Sequence, residues 1–162
     1  MVCTEIDSSL CPGLSETDYI EITMNQPLPH LHPNAARSMQ IWHDMLARHD
    51  LGELNTIVHP DAVFNSPIAF TPYRSAGALM LILNTAMQTF EDFSYHRELV
   101  SADGLNVVLE FSARVGDKAL KGIDMIGFDE QGLIVEFEVM VRPLSGLQAL
   151  GAAMGARLGR TP

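Results

Sequence analysis

Apolar residues in the first half of the chain recur three or four positions apart, as on the buried face of a helix. This spacing predicts a helix over residues 34–50, with Asn34 as its N-cap. A second, shorter helix is predicted over residues 50–58, and Pro60 ends it because proline lacks the backbone N–H that a helix interior needs.

A short strand and a third helix are predicted next. The strand ends at Pro67, and Ser75 is a suitable N-cap for a helix over residues 76–90. The buried stripe of that helix is formed by Leu79, Leu83, Ala86 and Phe90.

The period changes from helical to alternating after this third helix. Four alternating runs follow, over residues 93–102, 105–115, 118–128 and 133–142. The connectors DG, GD and DEQG are short and turn-forming, so the runs are predicted to form antiparallel hairpins. A last helix follows, opened by a Ser145/Gln148 capping box. This order predicts an α+β fold, with helices packed on one face of a curled antiparallel sheet and a small-molecule pocket at its open end.

The chain divides into an N-terminal arm, residues 1–33, and a domain, residues 34–158. Three prolines in the stretch NQPLPHLHP prevent regular structure there. His30 and His32 lie in this stretch without a Cys, Asp or Glu at ligand spacing, so a solvated linker is a better interpretation than a metal site.

Composition limits the classes of partner. The 162 residues are 47% hydrophobic and 19% charged, as in a globular domain, and the net charge of −10 disfavours nucleic acid and anionic membranes. No apolar run reaches the roughly 20 residues that span a bilayer, and the first residues lack the features of a secretion signal. Cys3 and Cys11 match neither a metal spacing nor a redox pair, so reduced thiols in a cytoplasmic protein are expected.

Asp124 is unusual because it interrupts an apolar strand. One face of this strand carries Leu120, Gly122, Asp124, Ile126 and Phe128, and the other carries Lys121, Ile123 and Met125. Lysine is more easily placed on the outer, charged face of the sheet, which turns Asp124 inward. A carboxyl group in an apolar cavity has a raised pKa, so it can serve as a general acid, a general base or a neutral hydrogen-bond donor to an oxyanion.

Two structural interpretations of Asp124 remain open. It could bond to backbone amides or to the indole N–H of Trp42, or the strand register could be reversed, with Ile123 and Met125 inside. If Asp124 faces inward, it is the candidate catalytic residue. The candidate pocket residues are Trp42, Met45, Phe64, Asn65, Ser66, Leu109, Phe111, Phe137 and Val139.

The histidines are assigned less active roles. His43 and His59, on a helix face and in a loop, are more typical of structural than of catalytic histidines. His96 and Glu98 are assigned to an edge or to the outer face of the sheet. No phosphate loop, nucleophile elbow or zinc motif is found, so neither a cofactor nor a metal is expected.

The segment ALKGIDMIGFDEQGLIVEFEVMV, residues 119–141, resembles the last two strands of ketosteroid isomerase, and HPDAVFNSP resembles the short strand of its family. The chain is therefore similar to the nuclear transport factor 2-like, cystatin-like α+β cone superfamily, which includes the SnoaL-like proteins. The resemblance covers about residues 34–142 and implies the fold more specifically than an activity.

The resemblance places Asp124 where ketosteroid isomerase keeps a protonated aspartic acid in its oxyanion hole. The isomerase's base, an aspartate before a proline, is replaced by Ser66 here, and the tyrosine of its first helix is replaced by Met45 or Trp42. These departures argue against the steroid isomerase mechanism as such.

Two functions follow as hypotheses. The first is a cofactor-independent acid/base isomerase, cyclase or hydrolase that acts on a small, largely apolar or amphipathic molecule through Asp124. The second is a non-catalytic ligand-binding or assembly module on the same fold. A homodimer through the outer sheet face is also expected, because Ile123, Met125 and Met140 form an apolar seam among its charges.

Overall fold

Six strands form one sheet in the computed structural model, which describes residues 30–159. The elements are α1 (Pro33–Ala47), a 3₁₀ turn (Leu54–Thr56), β1 (Val58–Asn65), β2 (Tyr73–Arg74), α2 (Ala76–Met87), β3 (Glu91–Val100), β4 (Asn106–Val115), β5 (Lys118–Phe128), β6 (Ile134–Arg142) and α3 (Leu144–Arg157). The strand order is β2-β1-β6-β5-β4-β3, and all neighbours are antiparallel except β1 and β6, which are parallel. The predicted α+β fold and its four-stranded meander are confirmed.

The core lies between the helices and the concave face of the sheet. Alternate residues of β4, among them Leu109 and Phe111, are fully buried, and they face Met45 of α1 and Leu79 of α2 across the same cluster. Trp42 packs edge-on against Phe137 of β6, with ring centroids 5.6 Å apart. These aromatic contacts hold α1 against the strands that carry the candidate site.

Bulges interrupt the regular alternation of the strands, and two of them change which residues face the core. On β6, Gly127 pairs with Glu136 but Phe128 pairs with Ile134, so Val135 is an extra residue. On β3, Tyr95 pairs with Phe111 and Arg97 with Glu110, so His96 is extra as well. An inserted residue reverses the facing of every side chain beyond it. The strict alternation predicted for residues 133–142 is therefore wrong at its start, where Ile134 is buried.

The turn between β5 and β6 packs against the start of α1. Gly132 has a φ of +84°, and a Cβ on this residue would lie 2.4 Å from the backbone oxygen of Asn34, so only glycine fits. Ser38 donates a hydrogen bond of 2.6 Å to the Gly132 carbonyl. This contact sets the position of α1 over β5, and hence over Asp124.

Several helix ends differ from the sequence prediction. The N-cap of α1 is His32, whose Nδ1 accepts from the Asn34 amide at 3.4 Å, since Pro33 takes the first helical position. The α3 helix has Pro143 as its N-cap, and Ser145 lies inside the helix, so the predicted capping box is wrong. Ser75 caps α2 as predicted, accepting from the Ala78 amide.

The region between α1 and α2 also differs. The second helix is only the three-residue 3₁₀ turn, because strand β1 already begins at Val58. Pro60 lies within β1, at the irregular part of its pairing with β6 where no ladder hydrogen bond is needed. The two-residue strand β2 was not predicted.

The arm predicted over residues 1–33, with Cys3 and Cys11, falls almost entirely outside residues 30–159. At its described end, the His32 amide donates to the Gly104 carbonyl at 2.9 Å, so the chain enters α1 beside the β3–β4 turn. Within the described range, no helix combines the length and the hydropathy that crossing a bilayer requires.

Candidate active site

A cavity of about 850 Å³ opens between the helices and the concave face of the sheet. Its walls are mostly apolar side chains of α1, α2, α3, the start of β3 and the segment between β1 and β2, including Leu83, Phe93, Leu150 and Met154. Gly151 and Gly155 of α3 also line it. This volume is within the usual range for small-molecule sites.

Asp124 lies on the wall of this cavity and is only 7% exposed. It pairs with Leu109 on one side and Val139 on the other, so β5 presents it on the same face as the core residues of β4. The structure thus gives Asp124 the inward orientation that strand alternation predicts. The reversed register, with Ile123 and Met125 in the core, is wrong.

Asp124 has a single hydrogen-bond partner among the described residues, which is Tyr95. The Tyr95 hydroxyl donates to Asp124 Oδ2 at 2.6 Å, and the Trp42 indole N–H donates to the same hydroxyl at 3.2 Å. The indole therefore reaches Asp124 through Tyr95, and backbone amides do not occupy the carboxyl group. Oδ1 remains available to a molecule in the cavity.

Burial controls the protonation of this chain of groups. Loss of hydration raises the pKa of Asp124 to about 7, and the Tyr95 hydrogen bond opposes that rise in part. Burial, followed by the charge of Asp124, raises the pKa of Tyr95 well above 10. Tyr95 therefore keeps its proton at neutral pH and donates it, whereas Asp124 is divided between its neutral and charged forms.

A neutral Asp124 has one proton to offer. With Oδ2 held by Tyr95, that proton resides on Oδ1 and can be donated to an oxygen of a bound molecule. A charged Asp124 can accept a proton at the same atom. The arrangement supports hydrogen bonding to a developing oxyanion or general acid/base catalysis near neutral pH.

The predicted pocket residues fall into two groups. Trp42, Phe64, Ser66 and Val139 line the cavity. Five others do not: Met45, Leu109, Phe111 and Phe137 are fully buried in the core, and Asn65 donates its side-chain amide to Glu136 Oε1 at 2.7 Å. The four core residues face inward as predicted, but their side chains are buried in the core and do not line the cavity.

A family model for the SnoaL-like domain matches residues 39–137. This chain belongs to the SnoaL-like domain family. The matched segment contains Trp42, Tyr95 and Asp124, so the hydrogen-bonded groups of this SnoaL-like chain all come from the family domain. A search of curated proteins finds no match.

Solved structures similar to this SnoaL-like protein share its fold. A steroid delta-isomerase from Pseudomonas aeruginosa is 61% identical, with a TM-score of 0.80 over 82% of this chain and 96% of that one. A bacterial protein with a cystatin-like fold from Silicibacter pomeroyi is 30% identical, with a TM-score of 0.71 over 81% and 89%. An NTF2-like protein of unknown function from Mesorhizobium loti, 15% identical with a TM-score of 0.61 over 69% and 93%, shows the fold alone.

Sequence reasoning missed Tyr95. On α1, Met45 and Trp42 offer no phenol at the position of the ketosteroid isomerase tyrosine, but a phenol reaches the carboxyl group from β3. Phe93 and Tyr95 are two residues apart and aromatic, which is the one signal that could have assigned Tyr95 to the inner face.

The positions of Glu98 and His43 in the structure also differ from the sequence prediction. Both His96 and Glu98 lie on β3, an edge strand of the sheet, as one of the two predicted alternatives has it. The other alternative, the outer face, is wrong for Glu98, because the bulge at His96 turns it to the inner face, where it pairs with Leu109. His96 does lie on the exposed outer side, where its Nε2 is 2.6 Å from Ser112 Oγ. His43 lines the cavity and its Nε2 is 3.1 Å from Glu98 Oε1. Among residues 30–159, no group of three or more His, Cys, Asp or Glu side chains could hold a metal ion.

Proposed function

We propose that this SnoaL-like protein is a cofactor-independent isomerase that moves a proton within a small, largely apolar carbonyl compound. The observation that carries the proposal is the buried carboxyl group of Asp124, with one hydrogen bond, on the wall of a mostly apolar cavity of about 850 Å³. A carboxyl group kept only for stability would have its oxygens occupied by backbone or side-chain donors.

The neutral form of Asp124 performs the main step. Its Oδ1–H donates to the carbonyl oxygen of the substrate, and this hydrogen bond strengthens as the adjacent carbon loses its proton and charge moves to the oxygen. Tyr95 holds Oδ2 at 2.6 Å and Trp42 holds Tyr95, so the donor is already oriented before the substrate binds. Orientation fixed in advance is what makes such a donor more effective than water.

The similar solved structure from Pseudomonas aeruginosa supports a first choice of substrate, because that protein is called a steroid delta-isomerase. The cavity volume and its apolar walls suit a compact polycyclic ketone. The proposed reaction is therefore the conversion of a β,γ-unsaturated ketosteroid to its conjugated isomer.

This reaction is directly measurable. The purified protein is mixed with a β,γ-unsaturated ketosteroid, and the ultraviolet absorption of the conjugated enone is followed over time. Binding is measured separately through the fluorescence of Trp42, the single tryptophan of the chain, which lines the cavity. Turnover supports the isomerase; binding without turnover supports a ligand-binding module; absence of both contradicts the proposal.

The rate should depend on pH through Asp124. If the neutral acid is the active form, kcat/KM falls about tenfold per pH unit above the pKa of Asp124, which is about 7. In Tyr95→Phe, the hydrogen bond that lowers this pKa is lost, so the fall should begin at a higher pH. Tyr73→Phe, which removes another cavity hydroxyl, is the control. A pH profile that Tyr95→Phe leaves unmoved would contradict the assignment.

A homodimer through the outer face of the sheet is part of the proposal. Met140 and Leu99 are 50% and 61% exposed on this side of the molecule, and Ile123 and Met125 are partly exposed nearby. Sedimentation at micromolar concentration should show a dimer that Met140→Glu weakens, and a monomer at that concentration would contradict the proposal. A cytoplasmic location stays a prediction, which cell fractionation tests.

A further inference from the structure

A second pair of ionisable side chains, His43 and Glu98, reaches the same cavity through His43. His43, on α1, is part of the cavity wall, and its side chain is 25% exposed. Its Nε2 lies 3.1 Å from Oε1 of Glu98 on β3, whose side chain is only 9% exposed. These two atoms are at ion-pair distance but are not aligned for a hydrogen bond, and Oε1 has no hydrogen-bond partner within residues 30–159.

The bulge at His96 is what brings Glu98 to this place. In a regular strand, Tyr95 and Glu98 are three positions apart and would face opposite sides. The extra residue puts both on the inner face, where they pair with Phe111 and Leu109. A carboxylate turned toward a hydrophobic core carries a desolvation cost unless a positive charge compensates it. The imidazole of His43, with Nε2 3.1 Å from the buried oxygen, is positioned to supply that charge whenever it holds a second proton.

His43 is also the best candidate for a base among the cavity-lining groups. Three other ionisable side chains on the cavity wall, Asp44, His49 and Asp92, are exposed at the surface. Asp92 is bonded to Arg114, and Asp44 accepts from Gln40. The hydroxyl of Ser66, the residue before Pro67, accepts a hydrogen bond of 3.2 Å from the Ile68 backbone amide. Of these groups only His43 combines a partly buried position with a carboxylate behind it.

The position of His43 relative to Asp124 is set by Tyr95. The His43 ring packs edge-on against the Tyr95 ring, with centroids 5.9 Å apart and planes at 86°. The Tyr95 hydroxyl is bonded to Asp124. His43 therefore packs against the ring of the tyrosine whose hydroxyl holds Asp124, and His43 and Asp124 both border the same cavity.

From this arrangement we infer that His43 takes and returns the proton in the reaction proposed above, and that Glu98 is its positioning residue. The inference rests on the proposed function. Neutral His43 removes a proton from the carbon beside the substrate carbonyl, and the C–H electron pair forms the enolate, whose oxygen accepts the hydrogen bond from Asp124. The imidazolium then returns the proton to the γ-carbon. The carbonyl re-forms, and no atom or charge is gained or lost.

The first test is the kinetics of His43→Gln, which keeps a polar side chain but cannot transfer the proton. The kcat for the β,γ-unsaturated ketosteroid should fall about 10²–10⁴-fold with little change in KM. Glu98→Gln, which leaves the imidazole in place, should lower kcat by up to about a hundredfold. His59→Gln, outside the cavity, is the matched control. Wild-type kcat values in both His43→Gln and Glu98→Gln would overturn the inference.

The second test does not need turnover. A naphthol bound beside Asp124 mimics the enolate, and its absorption spectrum shows whether it is ionised. The protein should ionise the bound naphthol because His43 accepts the proton, whereas in His43→Gln the bound naphthol should stay neutral. Equal ionisation in both proteins would overturn the inference. Absence of turnover in the wild-type protein would instead count against the proposed function, so the two failures are distinguishable.

Discussion

Asp124→Leu should lower the kcat for ketosteroid isomerisation by about 10²–10³-fold, the usual loss when one donor to an oxyanion is removed. Leucine is similar in size but cannot donate to the substrate. It also leaves the Tyr95 hydroxyl without its acceptor at 2.6 Å. Steady-state kinetics followed by enone absorption measure the effect.

Asp124→Asn separates the hydrogen bond from the charge. The asparagine Oδ1 can still accept the hydrogen bond from Tyr95, and its Nδ2–H can donate one to the substrate. The kcat of Asp124→Asn should therefore fall less than the kcat of Asp124→Leu. Asp61→Leu, an exposed position on β1, is the control for the general effect of this substitution. If Asp124→Leu and Asp61→Leu have the same kcat, Asp124 is no part of the reaction.

Asp124→Asn should also stabilise the protein, and the gain should depend on pH. The native pKa of Asp124 is raised from 3.8 to about 7, so the native state holds a proton that the unfolded chain has already released. The wild-type protein therefore loses stability as pH rises from about 4 to about 7, and a shift of this size corresponds to about 4 kcal/mol. Above about pH 7 the Asp124→Asn variant should therefore have its full advantage in free energy of unfolding over the wild-type protein. At about pH 4 the two proteins should be equally stable.

Urea unfolding of both proteins at several pH values between about 4 and 8 measures this difference. Asp61→Asn is the matched control, because an exposed aspartate should give no pH-dependent gain. If Asp124→Asn is as stable as the wild-type protein at pH 8, the carboxyl group is ionised there without cost, and its assignment as a neutral donor fails. A gain in stability from losing a functional group is typical of active sites.

The order of the elements and the orientation of Asp124 were readable from the sequence because both follow from periodicity. The change from helical to alternating spacing after α2 is strong, and three short connectors leave little choice of topology. On β5, a single comparison between Asp124 and Lys121 decided which face is buried. These signals are local, so no tertiary information was needed.

At the bulges of β3 and β6, by contrast, periodicity does not show which side chains face the core. One extra residue on β3 turns Glu98 to the inner face, and one on β6 buries Ile134. The extra residues are a histidine and a valine, so no glycine or proline at these positions indicates a bulge. The partners of Asp124 were also out of reach, because Tyr95 and Trp42 are brought together by the packing of α1 across the sheet. Which apolar residues border the cavity depends on where the helices stop, so Phe111 and Phe137 could not be told apart from Phe64.

The cavity wall and the ionisable groups come from different parts of the molecule. The groups proposed to move the proton lie on β3, β5 and one turn of α1, whereas much of the wall belongs to α2, α3 and the segment after β1. At Gly151 of α3, an added Cβ would lie 3.1 Å from Ile68, so a larger residue there narrows the space without touching Asp124. Substrate preference and reaction chemistry can therefore diverge independently in descendants of this chain, one by exchange of helix residues and the other by changes in the strands.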